Sequence, residues 1–268
     1  MIDQGKFNVL GVQISAVDYT AAVERIISAA RARQPLGASA LAVHGVMTGV
    51  LDREQCHRLN QLELVVPDGQ PVRWALNWLH GAALPDRVYG PTLMLRVCAA
   101  AEREQLPIFL FGSDASTLER LAQKLREHFP HLVIVGRRPS QFRQLTPQER
   151  LELIDEIRAS GACLTLVGIG CPRQEVWAYE FKDDLSMPVL AVGAAFAFHS
   201  GQLAQAPAWM QARGLEWFYR LTREPQRLWK RYALLNPTYL SLLLLQACGV
   251  LTLQPSRGQP PRTPKLYG

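Results

Sequence analysis

The chain has 268 residues, 48% of them hydrophobic and 19% charged, a balance that argues against a disordered or membrane-saturated chain and suffices for one or two globular domains. Its longest apolar stretch, Tyr239 to Leu253, is broken by Gln246, Gly249 and Thr252 and falls short of the roughly 20 apolar residues a spanning helix needs. Net charge is +6, concentrated where Arg213, Arg220, Arg223, Arg227, Lys230 and Arg231 face only Glu216 and Glu224, which points to nucleic acid, anionic lipid or a phosphorylated substrate as partner.

The N-terminus lacks the basic, apolar and small-residue order of a signal peptide, so a cytoplasmic location is expected. Apolar runs then alternate with amphipathic stretches over about two hundred residues, the pattern of an α/β layer fold. Strands are predicted at Asn8–Leu10, Ala40–Val43, Leu64–Val66, Ile108–Phe111, Leu132–Val135, Leu164–Val167 and Val189–Val192. Helices are predicted at Tyr19–Ala32, Pro71–Leu79, Pro91–Glu104, Ser116–His128, Pro147–Ser160 and Arg173–Asp183. Thr146, Pro147 and Glu149 form a capping box with proline at the first helical position. From Pro207 onward only helices are expected, with Trp209, Trp217, Phe218, Trp229 and Tyr232 interleaved among arginines. Those rings either close the core or sit with the arginines at a lipid headgroup layer; the charge density favours a surface. The division is therefore a catalytic α/β unit over 1–205, a basic helical appendage over 206–253 and a Pro-, Arg- and Gly-rich tail over 254–268 expected to be disordered. Cys56, Cys98, Cys163, Cys171 and Cys248 are odd in number and lack CxxC spacing, so they read as reduced, mostly buried thiols.

Ligands bind α/β sheets at strand ends, and three such junctions carry polar residues. In the first, Val66 to Pro71, Asp68 is either a general base or hydroxyl-binding carboxylate, with Gly69 and Gln70 beside it, or simply part of an Asp-Gly turn. The second, Leu164 to Glu175, offers Gly168, Gly170 and Pro172 ahead of a helix whose free N–H groups suit phosphate or sugar oxygens, with Gln174 and Glu175 at the helix start. It lacks the third glycine of a dinucleotide fingerprint, and strand-to-helix packing explains its glycines equally well. The third, Phe109 to Asp114, sets Gly112 and Ser113 where a diphosphate or ribose would lie, although Asp114 also reads as a helix cap. Arg87 is a candidate phosphate partner or a solvated surface arginine. His44 reads as a pocket-lining residue at a strand end or a core histidine. No HxH, HExxH, cysteine pair or clustered carboxylates support a metal site.

In this order, Pro67-Asp68-Gly69, Arg87-Val88-Tyr89-Gly90, Val167-Gly168-Ile169-Gly170-Cys171-Pro172-Arg173-Gln174-Glu175 and Ala191-Val192-Gly193-Ala194-Ala195-Phe196 resemble the WecG/TagA/CpsF family, glycosyltransferase family 26. Ala206-Pro207-Ala208-Trp209, Gly214-Leu215-Glu216-Trp217, Arg220-Leu221, Glu224-Pro225 and Arg231-Tyr232 extend the resemblance through most of residues 7 to 240. The resemblance implies a Rossmann-like parallel sheet and an inverting, metal-independent transfer, without cofactor, from a UDP-sugar to an undecaprenyl-diphosphate-linked saccharide at the inner face of the cytoplasmic membrane. By that resemblance Asp68 is the general base. Arg87 and Gln174 belong to the pocket, and UDP lies across the strand ends near Gly112 and Gly168. Arg213, Arg220, Arg223, Arg227 and Arg231 would serve the membrane or the acceptor. The chain departs from the family pattern at Ala42-Val43-His44, Phe196-Ala197-Phe198 and Gln205-Ala206-Pro207, which leaves the donor sugar open. Oligomeric state is open between monomer and homo-oligomer. The rival readings are a non-catalytic nucleotide-sugar-binding scaffold and, against the ordered motifs, a single-strand nucleic-acid binder.

Overall fold

The first element is a hairpin that the predicted strands only half anticipate. In the computed structural model, which describes residues 1–268 apart from the side chains of Arg227 and Arg231, β1 (Asp3–Val9) pairs antiparallel with β2 (Val12–Val17). Leu10 and Gly11 between them both take positive φ, 54° and 86°, which is the backbone a two-residue hairpin turn demands. The hairpin lies against β4 (Leu64–Pro67), where Ser15 Oγ accepts from Val65 N at 3.1 Å.

The main sheet has six parallel strands in the order β4-β3-β8-β7-β5-β6, with β3 at Leu36–Leu41, β5 at Ile108–Gly112, β6 at Ile134–Arg138, β7 at Leu164–Gly168 and β8 at Pro188–Ala191. Central strands are buried throughout, as continuous apolar runs in a parallel sheet require. One face is covered by α1 (Tyr19–Ala32), α5 (Gly90–Arg103) and α6 (Ala115–His128) through Ile26, Leu93, Val97 and Leu121. The other is covered by α2 (Val43–Leu51), α3 (Arg53–Asn60), α4 (Gln70–His80), α7 (Pro147–Ala159) and α8 (Arg173–Leu185), with Trp177 stacked between Phe111 and Phe181. This is the α/β parallel-sheet architecture expected.

Local chemistry explains the boundaries. Asp18 caps α1 by accepting from Ala21 N at 2.8 Å, and Thr146 with Glu149 forms the reciprocal capping box of α7. Strand β3 ends at Leu41, two residues before its predicted end, so His44 sits in the first turn of α2 and not at a strand end. The helix α3 follows from Asp52, whose carboxylate accepts from Glu54 N and Gln55 N.

After the short α9 (Ala195–His199) come α10 (Ala208–Ala212), α11 (Glu216–Arg223) and α12 (Pro225–Ala247). Helix α12 contributes Tyr239 and Leu243 to the core, and the Gln246 side chain accepts from Leu10 N and donates to Asn8 O. The named aromatics Trp209, Trp217, Phe218 and Trp229 stay exposed. Among the described residues no helix is long and apolar enough to cross a membrane. Residues 254–268, expected to be disordered, instead run over the surface as a strap. Arg257 donates to Val50 O, Gln259 N to Arg53 O and Leu145 N to Leu266 O, while Gly268 O accepts from Ser140 Oγ. Composition misled here because Leu266 and Tyr267 pack against the core and the backbone finds partners along the way.

Candidate active site

A cleft of about 770 Å³ opens at the C-terminal ends of the parallel strands, the ligand-binding edge of such sheets and a volume suited to a small ligand. Its floor and one wall come from the loops after β3, β4, β5, β7 and β8, which bring His44, Asp68, Ser113, Gly170, Gln174 and Glu175 together. The opposite wall comes from the appendage through Glu216, Arg220, Lys230, Leu234 and Leu235. The appendage thus completes the cleft.

Asp68 stands one residue past β4, with Oδ1 accepting from Gly90 N at 2.6 Å. Burial pushes its carboxyl up to about 6, and Glu216 adds to that rise, while Arg87, the Gly90 N–H and Arg220 oppose it. A carboxylate poised there is charged at neutral pH yet basic enough to take a proton from a hydroxyl.

Behind it lies a buried charge network. Arg87 donates to Glu216 Oε2 at 2.7 Å, and Tyr89 Oη donates to Glu216 Oε1 at 2.9 Å. The Arg87 guanidinium also lies 4.3 Å from the centroid of the Tyr89 ring, a cation–π arrangement. Burial opposes the charge on Arg87, but Asp68 and Glu216 outweigh it and hold its pKa above the ordinary value. Burial, followed by Glu216 and Asp68, raises the Tyr89 phenol as well, keeping it a neutral donor. Arg87 is therefore spent on Glu216 and fixes α11 to the floor of the cleft; it does not line the cleft.

At the head of α8, Glu175 Oε1 accepts from Gln174 Nε2 at 2.8 Å and from Ser39 Oγ at 2.9 Å. Burial raises the Glu175 carboxyl pKa against these hydrogen bonds, and burial together with Glu175 raises the Cys171 thiol well above its ordinary value. Gln174 Oε1 and His44 Nδ1 are buried in the cleft wall without hydrogen-bond partners.

Several expected site residues do other work. A Cβ on Gly112 would stand 2.7 Å from the Gly168 backbone, and one on Gly168 would stand 2.6 Å from the Phe196 ring. Both glycines therefore serve close packing beneath the cleft and do not line it. Gly170, with φ +82° and no atom within 4 Å of a Cβ position, does face it. Pro172 precedes α8 outside the cleft, and Gly69 caps α4. Gln70 is buried and donates to Asp86 Oδ1 at 3.2 Å, bridging α4 to the loop before Arg87. Arg220 lines the cleft over Phe198, and Arg223 lines a smaller neighbouring cavity of about 420 Å³. Arg213 lies away from both, 5.7 Å from the Trp209 ring centroid. The side chains of Arg227 and Arg231 lie outside the described residues. Glu216, Tyr89 and Lys230 also enter the site; the first two stand inside motifs quoted above, and Lys230 in the basic segment. Among the described residues no three of His, Cys, Asp and Glu come together as a metal-ligand set.

A parallel sheet with a mixed-charge cleft of ligand size at its C-terminal edge defines an α/β protein of the kind whose ligands bind at strand ends. Residues 7–251 match the glycosyl transferase WecG/TagA/CpsF family, and the chain belongs to that family. It is accordingly a glycosyltransferase-type protein of polysaccharide biosynthesis.

Proposed function

We propose that this chain moves a sugar from a UDP-sugar to a polyprenyl-diphosphate-linked saccharide, with inversion and without a metal ion, at the inner face of the cytoplasmic membrane. The observation that carries the reading is the placement of Asp68. It stands in a cleft whose far wall supplies the cations Arg220 and Lys230, and burial tunes its carboxyl to about 6.

In this reading Asp68 accepts the proton of the acceptor hydroxyl as that oxygen bonds to the anomeric carbon. The bond from that carbon to the UDP oxygen breaks in the same displacement, and UDP leaves with the electron pair. One in-line displacement inverts the anomeric centre. Arg220 and Lys230 offset the charge growing on the leaving diphosphate, the role a preorganised cation performs best in a partly dry site. Gly170 leaves room for the diphosphate to approach the start of α8, whose positive dipole end favours anions.

Arg87 supports the site indirectly, holding Glu216 and with it α11 in place. The exposed rings of Trp209, Trp217, Phe218 and Trp229, interleaved with Arg213 and Arg223, suit an anionic lipid surface, where amphipathic rings and long cations sit at the headgroup level. A lipid-borne acceptor would then meet the cleft from the side that the appendage walls.

The test is a transfer assay with a panel of UDP-sugars and a polyprenyl-diphosphate-linked saccharide in anionic vesicles, with EDTA throughout. Product of inverted anomeric configuration, seen by NMR, is expected. Transfer that needs added divalent cation, or product of retained configuration, overturns the mechanism.

A further inference from the structure

Gln174 and Glu175 are neighbours at the start of α8, and both are buried, 3% and 0% exposed. Their side chains are not equivalent. Glu175 Oε1 takes two hydrogen bonds, from Gln174 Nε2 at 2.8 Å and Ser39 Oγ at 2.9 Å. With Glu175 ionised, turning the Gln174 amide by half a rotation would set its oxygen against Glu175 Oε1, two acceptors facing each other in a buried site, which the surroundings penalise. The amide is therefore held one way round. Its Nε2 is committed to Glu175, and its Oε1 is left without any partner although Gln174 is nearly fully buried and borders the cleft.

A buried amide oxygen with nothing to accept from is rare in folded proteins and needs an explanation. The neighbouring residues supply one. A Cβ at Gly193 would stand 3.3 Å from Gln174 Oε1 and 3.4 Å from its Nε2, so this glycine, at φ +57°, lets the amide pack closely against the loop after β8. Glu175 Oε2 and His44 Nδ1, on the same cleft, are likewise buried and unpartnered. Asp68 is close by: its Oδ1 and the Val192 carbonyl lie 3.5 and 3.6 Å from the Cβ position of Gly90, and Val192 directly precedes Gly193. Asp68 and Gln174 thus line one cleft.

We propose that Glu175 is a positioning residue: it fixes the Gln174 amide with the carbonyl oxygen presented to the cleft, creating an acceptor subsite that selects a hydroxyl or N–H group of the donor nucleotide-sugar. This rests on the glycosyl-transfer reading above. The same acceptor serves a hydroxyl or N–H of the transferred sugar and the imide N–H of a uracil base. A site that pairs with such a group discriminates strongly against ligands lacking it, because an unfilled buried acceptor remains unpaired.

Calorimetric titrations with UDP, UDP-glucose and UDP-N-acetylmannosamine test the proposal. Glu175→Met is expected to weaken the tightest of these ligands roughly tenfold, the loss of about one hydrogen bond with its orientation. Glu175→Gln keeps an acceptor oxygen for Gln174 and is expected to stay within about threefold of the wild type. Gln174→Leu should weaken binding by the same factor as Glu175→Met, and the double variant should be no weaker than Gln174→Leu alone, because both act on one interaction. Loss seen already with UDP assigns the partner to the base; loss confined to a UDP-sugar assigns it to the sugar.

The proposal is overturned if Glu175→Met binds like the wild type, if Glu175→Gln is as impaired as Glu175→Met, or if the double variant shows additive losses. Should Glu175→Met fail to fold, Ser39→Ala combined with Glu175→Leu removes the buried hydroxyl along with its acceptor and carries the same test. A wild-type protein that binds none of the three ligands overturns the glycosyl-transfer reading itself, a result distinct from any of these.

Discussion

Replacing Asp68 by Asn separates the stability of the fold from the chemistry of the site. Burial lifts the carboxyl from about 3.8 to about 6, so between those values the folded protein holds a proton that the unfolded chain has released. Stability is therefore lost as pH rises through that window, and above it the charged carboxylate costs the fold up to ~3 kcal/mol relative to acid conditions. Asparagine retains an oxygen for the Gly90 N–H and carries no charge. Asp68→Asn is thus expected to raise the thermal midpoint by several degrees at pH 7.5, with the gain shrinking to nothing near pH 4. Transfer should fall by roughly a hundredfold or more, while the wild-type kcat/KM rises with pH through about 6 and then flattens. Calorimetric melting across pH 4 to 8, beside the pH–rate profile, checks both arms. A melting difference that does not vary with pH, or a folded variant that turns over like the wild type, would refute the reasoning.

The remaining expectations concern the supports of the cleft. Glu216→Ala leaves Arg87 buried without its carboxylate and should cost about 3–5 kcal/mol, measurable by urea unfolding, with a drop in activity because α11 loses its anchor. Gly168→Ala drives a Cβ into the Phe196 ring at 2.6 Å and should cost about 1–3 kcal/mol without altering UDP affinity at temperatures where it stays folded. Deleting residues 254–268 removes the hydrogen bonds to Val50, Arg53, Leu145 and Ser140 and should lower stability by about 2–4 kcal/mol, seen as a lower urea midpoint. Trp217→Ala with Trp229→Ala, both exposed, should shift stability by under about 1 kcal/mol yet weaken sedimentation with anionic vesicles severalfold.

Structure is legible in the sequence wherever the chain decides it locally. The bounds of α1 follow from Asp18 and an apolar face, α7 follows from its capping box, and Asp68 stood out because an apolar strand ends just before it. What remained hidden depends on distant partners. Glu216 meets Arg87 across 129 positions, and no spacing rule links the two. A glycine that admits a ligand and one that admits a phenyl ring look alike in sequence, so the sequence alone suggests Gly168 for the site although Phe196 occupies the space beside it. The alternation Val12, Ile14, Ala16 was present for β2 but short, and the apolar run through Val43 disguised the start of α2 as more strand.

The most direct test of the central claim is a calorimetric titration of the purified protein with UDP, in EDTA and with anionic detergent or lipid supplied, using ADP as the control. Selective binding of UDP that persists in EDTA is the predicted result. A folded sample that binds neither nucleotide, or binds UDP only with added divalent cation, would contradict a metal-independent UDP-sugar site in this cleft.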